Sequence, residues 1–167
     1  MKKFLAALLL SVTAFTTADA GKLEAPAGDV ILSVTGNVDN TNAGGAADFD
    51  MTMLEALAGR SATMETPWTT GATSFDGPLL KAVIGAAGGH GRRLLVKALN
   101  DYTAEIPIED ATAYETILAV KMNGAPMSVR DKGPLFLIYP FDKNPELYNE
   151  KYFSRSVWQI REIEVVD

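Results

Sequence analysis

The chain has 167 residues, no cysteine, one histidine, 21 acidic against 15 basic residues and a formal net charge of −6. The missing cysteines exclude disulfides, thiolate metal sites and cysteine nucleophiles, and a lone His excludes a histidine-rich metal centre. The acidic balance disfavours nucleic acid and anionic membranes as partners and leaves small molecules and other proteins.

Lys2 and Lys3 open the chain as a short positive stretch, Phe4 to Val12 is an apolar run, and Ala18-Asp19-Ala20 is a small-x-small sequence before Gly21. That order of parts is a secretory signal peptide. The run stops short of the about 20 apolar residues a spanning helix needs, so no direct membrane insertion is expected, and no Cys follows to carry a lipid. The expectation is a cleavable leader over 1–20, one domain over 21–167, and a periplasmic location. Loss of Lys2, Lys3 and Asp19 with the leader takes the charge to −7.

Residues 21–28 read as a loose leader. Asp29 to Gly36 reads as a strand bounded by turn residues, Asn37 to Ala46 as a loop, and Phe49 to Leu57 as a short helix by its apolar spacing. Ser61 to Trp68 alternates like a strand up to the bend at Pro67, and Thr69 to Ser74 is a polar loop. Pro78 suits the first turn of a helix, where its missing N–H costs nothing. Leu79, Leu80, Val83 and Ile84 line one face of that helix, and Gly88-Gly89 ends it. Arg93 to Leu99 and Thr103 to Ile108 are strands, and Thr112 to Tyr114 a helical turn. Ile117 to Met122 is a strand entering the hairpin signal Asn123-Gly124. Leu135 to Tyr139 is a continuous apolar run, the pattern of a strand buried on both faces. Asn144 to Tyr152 is a short helix or loop, and Ser156 to Val166 a long alternating strand. With strands outnumbering scattered short helices and no repeat, the fold class is a single mixed, strand-rich α+β domain.

Most site signals are missing: there is no G-x-S-x-G, no P-loop, no H-E-x-x-H and no EF-hand spacing. Gly88-Gly89-His90-Gly91 with Arg92-Arg93 has the composition of a phosphate cradle, but the preferred reading is a helix-ending turn, since glycine is the usual helix terminator. Glu105, Glu109 and Asp110 form a carboxylate cluster able to do acid–base work, or a solvated edge with Asp110 as a helix cap.

Five segments in order carry more: Phe75-Asp-Gly-Pro-Leu-Leu-Lys, Ala98-Leu-Asn-Asp-Tyr-Thr-Ala-Glu-Ile-Pro-Ile, Leu118-Ala-Val-Lys-Met-Asn-Gly-Ala-Pro-Met, Gly133-Pro-Leu-Phe-Leu-Ile-Tyr-Pro and Ser154-Arg-Ser-Val-Trp-Gln-Ile. Together they resemble the molybdopterin-binding domain of the sulfite oxidase family, in its small stand-alone periplasmic form, from about Ile31 to the C-terminus. The resemblance implies a mostly β fold with peripheral helices and a pterin cofactor whose molybdenum is held by one protein cysteine. Here the matching stretch is Met64-Glu65-Thr66-Pro67-Trp68, with Thr66 near the place of the sulfur. A hydroxyl is a hard ligand and does not replace a thiolate.

What remains is a pocket for a flat, polar-edged heterocycle, which needs aromatic or guanidinium faces and fixed edge donors and acceptors. The candidates are Thr66, Trp68, Asn100, Asp101, Tyr102, Glu105, Arg130, Arg155 and Trp158. Each has a plainer reading: Trp158 as core, Asn100-Asp101 as a turn, Arg130 and Arg155 as surface ion pairs. Trp68, beside Pro67 in a loop, is the best placed to face a ligand. The reading is a periplasmic protein that binds an unmetallated pterin. By the resemblance, it is also a ligand-sensing partner of a membrane-bound signalling protein, of the kind that controls cyclic di-GMP. Two others stay open: a molybdopterin-dependent oxidoreductase with non-cysteine metal ligation, and a structural domain with an empty pocket.

Overall fold

Backbone pairing in the computed structural model, which describes residues 23–167, builds two main sheets. The leader expected over residues 1–20, with its cleavage point, lies outside the described residues. The larger sheet joins β1 (Leu32–Gly36), β2 (Ala47–Phe49), β5 (Arg93–Ala98), β6 (Thr103–Pro107) and β11 (Ile160–Val166) in the order β2-β1-β11-β5-β6. β1 and β11 run parallel and every other neighbour is antiparallel. The second sheet orders β3 (Gly59–Met64), β4 (Thr73–Pro78), β8 (Lys121–Met122) and β9 (Ala125–Pro126) as β3-β4-β8-β9. A third pair, β7 (Ile117–Ala119) and β10 (Phe136–Ile138), lies between them.

Alternation decides which face is core. Leu94, Val96 and Ala98 of β5 point inward with Leu32 and Val34 of β1 and Ile163 and Val165 of β11, while Lys97, Glu162 and Glu164 share the outer face. β7 and β10 are buried at every position, as the unbroken apolar run Leu135–Tyr139 predicts. Four short helices, α1 (Met51–Ala56), α2 (Leu80–Ala86), α3 (Glu109–Ala113) and α4 (Glu150–Arg155), close the periphery. α2 buries Leu80, Val83 and Ile84. Asp50 caps α1 by accepting from the Met53 N–H, and its second oxygen accepts from Ala27 and Gly28, which ties residues 27–28 to the domain. At Asn123-Gly124 both residues have positive φ, 51° and 77°, the backbone of the two-residue hairpin turn that this dipeptide favours. The mixed α+β class read from the sequence is therefore the architecture of the domain.

Four local expectations are corrected. Thr73 to Pro78 is a strand rather than a loop and a helix lead-in, and the helix begins at Leu80. Pairing with β3 on one side and β8 on the other satisfies that backbone and overrides the local preference of Pro78 for a helix start. Ile117–Met122 is split into β7 and β8, each paired to a different partner. The last strand starts at Ile160, because Gln159 takes a left-handed backbone (φ 56°) that no strand continues through. Asp110 does not cap α3, whose end carries no side-chain cap. Its carboxylate turns inward instead.

Candidate functional site

The β5–β6 turn, the loop after β3 and the chain from α4 into β11 converge on one cleft of about 400 Å³, a volume suited to a small molecule. Four of the residues singled out from the sequence line it: Trp68, Asn100, Tyr102 and Trp158. The others are Ala98, Glu150, Phe153, Ser154, Ser156 and Val157, which sequence reasoning missed.

Trp68 is half-buried at the base. Its ring stands edge-on to Phe136 (5.4 Å between centroids), Phe153 (5.6 Å) and Trp158 (6.3 Å). Phe136 is fully buried in β10, so the aromatic wall is rooted in the core. Trp158 is 38% exposed, bridges to Phe136 by backbone pairing, and carries the Lys132 ammonium 5.2 Å from its ring centroid. It thus belongs to wall and rim rather than to the core. On the facing rim Asn100 serves the turn as well as the cleft, its side-chain oxygen accepting from the Tyr102 N–H at 3.2 Å. The Tyr102 hydroxyl crosses to α4 and donates to the Ser154 carbonyl at 3.2 Å. Ser156 is buried and donates to the Tyr152 carbonyl. The cleft therefore offers aromatic faces from two tryptophans and a tyrosine, with amide, hydroxyl and carboxylate groups at its edge. Among the lining residues Glu150 alone is charged.

The remaining candidates lie elsewhere. Thr66 is buried, its hydroxyl 2.8 Å from that of Thr69 and accepting from the Trp68 N–H at 3.3 Å. Asp101 pairs with Arg161 at 2.8 Å and Glu105 with Arg93 at 3.3 Å, all solvent-facing. Arg130 sits exposed in a 3-10 turn, Val129–Asp131. Arg155 ends α4 but turns from the cleft into a buried network. There the Asp110 carboxylate accepts from Arg155 at 2.7 Å and from the Tyr139 hydroxyl at 2.7 Å. Burial, with the Asp110 charge beside it, holds the Tyr139 hydroxyl protonated far above the usual phenol range. Tyr139 and Tyr152 pack edge to face at 5.0 Å. The network anchors the end of α4 that carries Phe153 and Ser154 into the cleft. Nothing local in the sequence marks Asp110 and Arg155 as partners, because 45 residues separate them.

A molybdenum centre does not fit these residues. The chain has no cysteine, and the Thr66 oxygen is spent within its own loop on Thr69 and the Trp68 N–H. The lining supplies the aromatic surface and the amide, hydroxyl and carboxylate groups that a flat, polar-edged heterocycle requires. A family model described as an oxidoreductase molybdopterin binding domain matches residues 32–167. No curated protein matches the chain.

Proposed function

The chain belongs to the oxidoreductase molybdopterin binding domain family, and on that premise we propose that it is a periplasmic protein that binds an unmetallated pterin in the Trp68–Trp158 cleft. The observation that carries this is the combination of an aromatic, polar-edged cleft with a chain that has no thiolate for the metal. Softness of the donor set separates pterin binding from molybdenum chemistry, since a hydroxyl is a poor substitute for a cysteine sulfur. The lining has no Lys or Arg, so its polar groups suit a neutral ring edge better than a phosphate tail. Periplasmic location rests on the leader at residues 1–20. On this reading the loaded domain signals to a membrane-bound protein, of the kind that controls cyclic di-GMP, by binding it differently in its loaded and empty states.

Native mass spectrometry with elemental analysis on protein purified from its own periplasm tests the reading. The expected result is a mass increment matching a pterin, with no molybdenum. Stoichiometric molybdenum overturns it and restores an oxidoreductase with unforeseen ligands; an empty cleft that takes up no added pterin overturns it in favour of a structural domain.

A further inference from the structure

The polar groups of the cleft are unevenly supplied with protons. Tyr102, Ser154 and Ser156 each bring one hydroxyl, and a hydroxyl has a single hydrogen to donate. All three hydrogens are spent inside the protein. Tyr102 donates to the Ser154 carbonyl at 3.2 Å, Ser154 to the Lys151 carbonyl at 2.8 Å and Ser156 to the Tyr152 carbonyl at 2.9 Å. What these groups offer a ligand is lone pairs. The Glu150 carboxylate adds two oxygens that only accept. On the donor side stand the two indole N–H groups and the amide N–H groups of Asn100, whose side-chain oxygen is already engaged by the Tyr102 N–H.

Glu150 differs from the rest of the lining. It alone is charged, it is exposed, and its carboxylate has no ion-pair or hydrogen-bond partner among the described residues. Its neighbours are occupied elsewhere. The Lys151 ammonium lies over the Tyr152 ring, 5.1 Å from the centroid. The Asn149 side chain caps α4 by accepting from the Lys151 N–H at 3.0 Å, and donates to the Glu146 carbonyl at 2.8 Å. The other end of the helix is held by Arg155 on Asp110. The cleft is therefore bordered by an unpartnered carboxylate on a segment pinned at both ends.

We propose that Glu150 is the specificity-determining residue of the cleft: its carboxylate accepts the adjacent N–H groups of a 2-amino-4-oxopyrimidine ring, so that the cleft selects an amino-substituted heterocycle over its dioxo counterpart. The 2-amino group and the neighbouring ring N–H are two parallel donors, and a carboxylate meets such a pair with both oxygens. A dioxo ring places a carbonyl oxygen where the amino group was, which sets lone pairs against the carboxylate and disfavours the wrong ligand. The lone pairs of Tyr102, Ser154 and Ser156 act in the same direction, because none of them has a hydrogen left for an acceptor-rich edge. The inference rests on the pterin reading of the cleft and names what that ligand must carry.

Isothermal titration of the full protein with 6-methylpterin and 6-methyllumazine tests it, since the two carry an amino and an oxo group at the same ring position. The pterin is expected to bind about tenfold more tightly, the worth of a hydrogen-bonded pair to a charged acceptor in partly solvated surroundings. Glu150→Gln should weaken pterin binding by about tenfold and leave lumazine within about twofold, which abolishes the preference, while Glu150→Asp keeps part of it. Equal binding of the two heterocycles by the unaltered protein, or a preference that survives in Glu150→Gln, overturns the role of Glu150 and leaves the cleft reading standing. Binding of neither heterocycle overturns both. Guanosine shows the same donor edge on a purine: if it binds more tightly than 6-methylpterin and Glu150→Gln weakens it, the role of Glu150 holds and the pterin reading falls.

Discussion

Asp110→Ala is expected to be the most damaging conservative truncation near the cleft. The carboxylate is 10% exposed and its partner Arg155 18%, so both charges lie largely out of water, and removing one leaves the other buried without compensation. Breaking a buried pair from one side costs about 3–5 kcal/mol. The fully buried Tyr139 hydroxyl loses its acceptor as well, a penalty of about 1–3 kcal/mol that overlaps the first because side chains relax. A net loss of about 4 kcal/mol, at about 3 °C per kcal/mol for a domain of this size, lowers Tm by about 12 °C. Calorimetry and urea unfolding measure it, with Tyr139→Phe as a reference expected to cost about 2 kcal/mol, one hydrogen bond to a charged acceptor. In the double variant the two losses should fall short of additive, since both remove the same bond. Because Arg155 ends α4, pterin affinity of Asp110→Ala should fall even at temperatures where the variant is folded. A loss below about 1 kcal/mol, the range of an exposed pair, with unchanged affinity refutes both the burial argument and the role of the network in holding the cleft wall.

Trp68→Ala should weaken pterin binding by about 1–3 kcal/mol, the worth of one aromatic stack, while Trp68→Phe recovers part of it; fluorescence titration reads both. Asp50 is held below the usual carboxylate range by the N–H groups of Met53, Gly28 and Ala27. Its contribution to stability is therefore complete above the unfolded carboxylate pKa and lost as pH falls through the lower folded value. Asp50→Asn should flatten that acid limb of Tm against pH and speed hydrogen exchange at the Ala27 and Gly28 amides; an unchanged limb places the acid sensitivity elsewhere. In Gly77→Ala the new Cβ would lie 2.2 Å from the Leu118 carbonyl oxygen, a backbone clash that should cost about 3 kcal/mol in urea unfolding, and a neutral result would mean that β4 and β7 can separate freely.

Elements governed by local pattern were legible in the sequence. Asn123-Gly124 needs only its own dihedral preferences to make a hairpin, and Leu135–Tyr139 needs only its unbroken hydrophobicity to be buried. Phe75-Asp-Gly-Pro was misleading because a helix start and a strand end both tolerate a proline without its N–H, and only the partners β3 and β8 decide between them. Trp68, Asn100, Tyr102 and Trp158, singled out by residue type and family pattern, are brought together in the candidate cleft. Glu150, Phe153 and Ser154 were not singled out, since on a six-residue helix their spacing does not say which face meets a cleft, and Ser156 just beyond it carries no local signal. Arg155 looked like a ligand group for the same reason that it is a good buried partner: a planar guanidinium satisfies a carboxylate and a ring edge equally well.

The cleft is built with unequal walls. On the inner side Trp68 leans on Phe136, which is fully buried in β10, so a ring stacked there meets a surface that close packing holds in place. On the outer side Asn100, Asp101 and Tyr102 are exposed, Asp101 has a positive φ of 65°, and one Tyr102–Ser154 bond ties the turn to α4. Loops with few buried contacts open at small free-energy cost. This turn is also tied to the chain entering β11, by the Leu99 N–H on the Gln159 carbonyl at 2.8 Å and by the Asp101–Arg161 pair at 2.8 Å, so the outer wall is exposed yet held. On the function proposed above, a partner that binds the loaded state more tightly must tighten the grip on the ligand by the same factor, because the coupling of two binding equilibria is reciprocal.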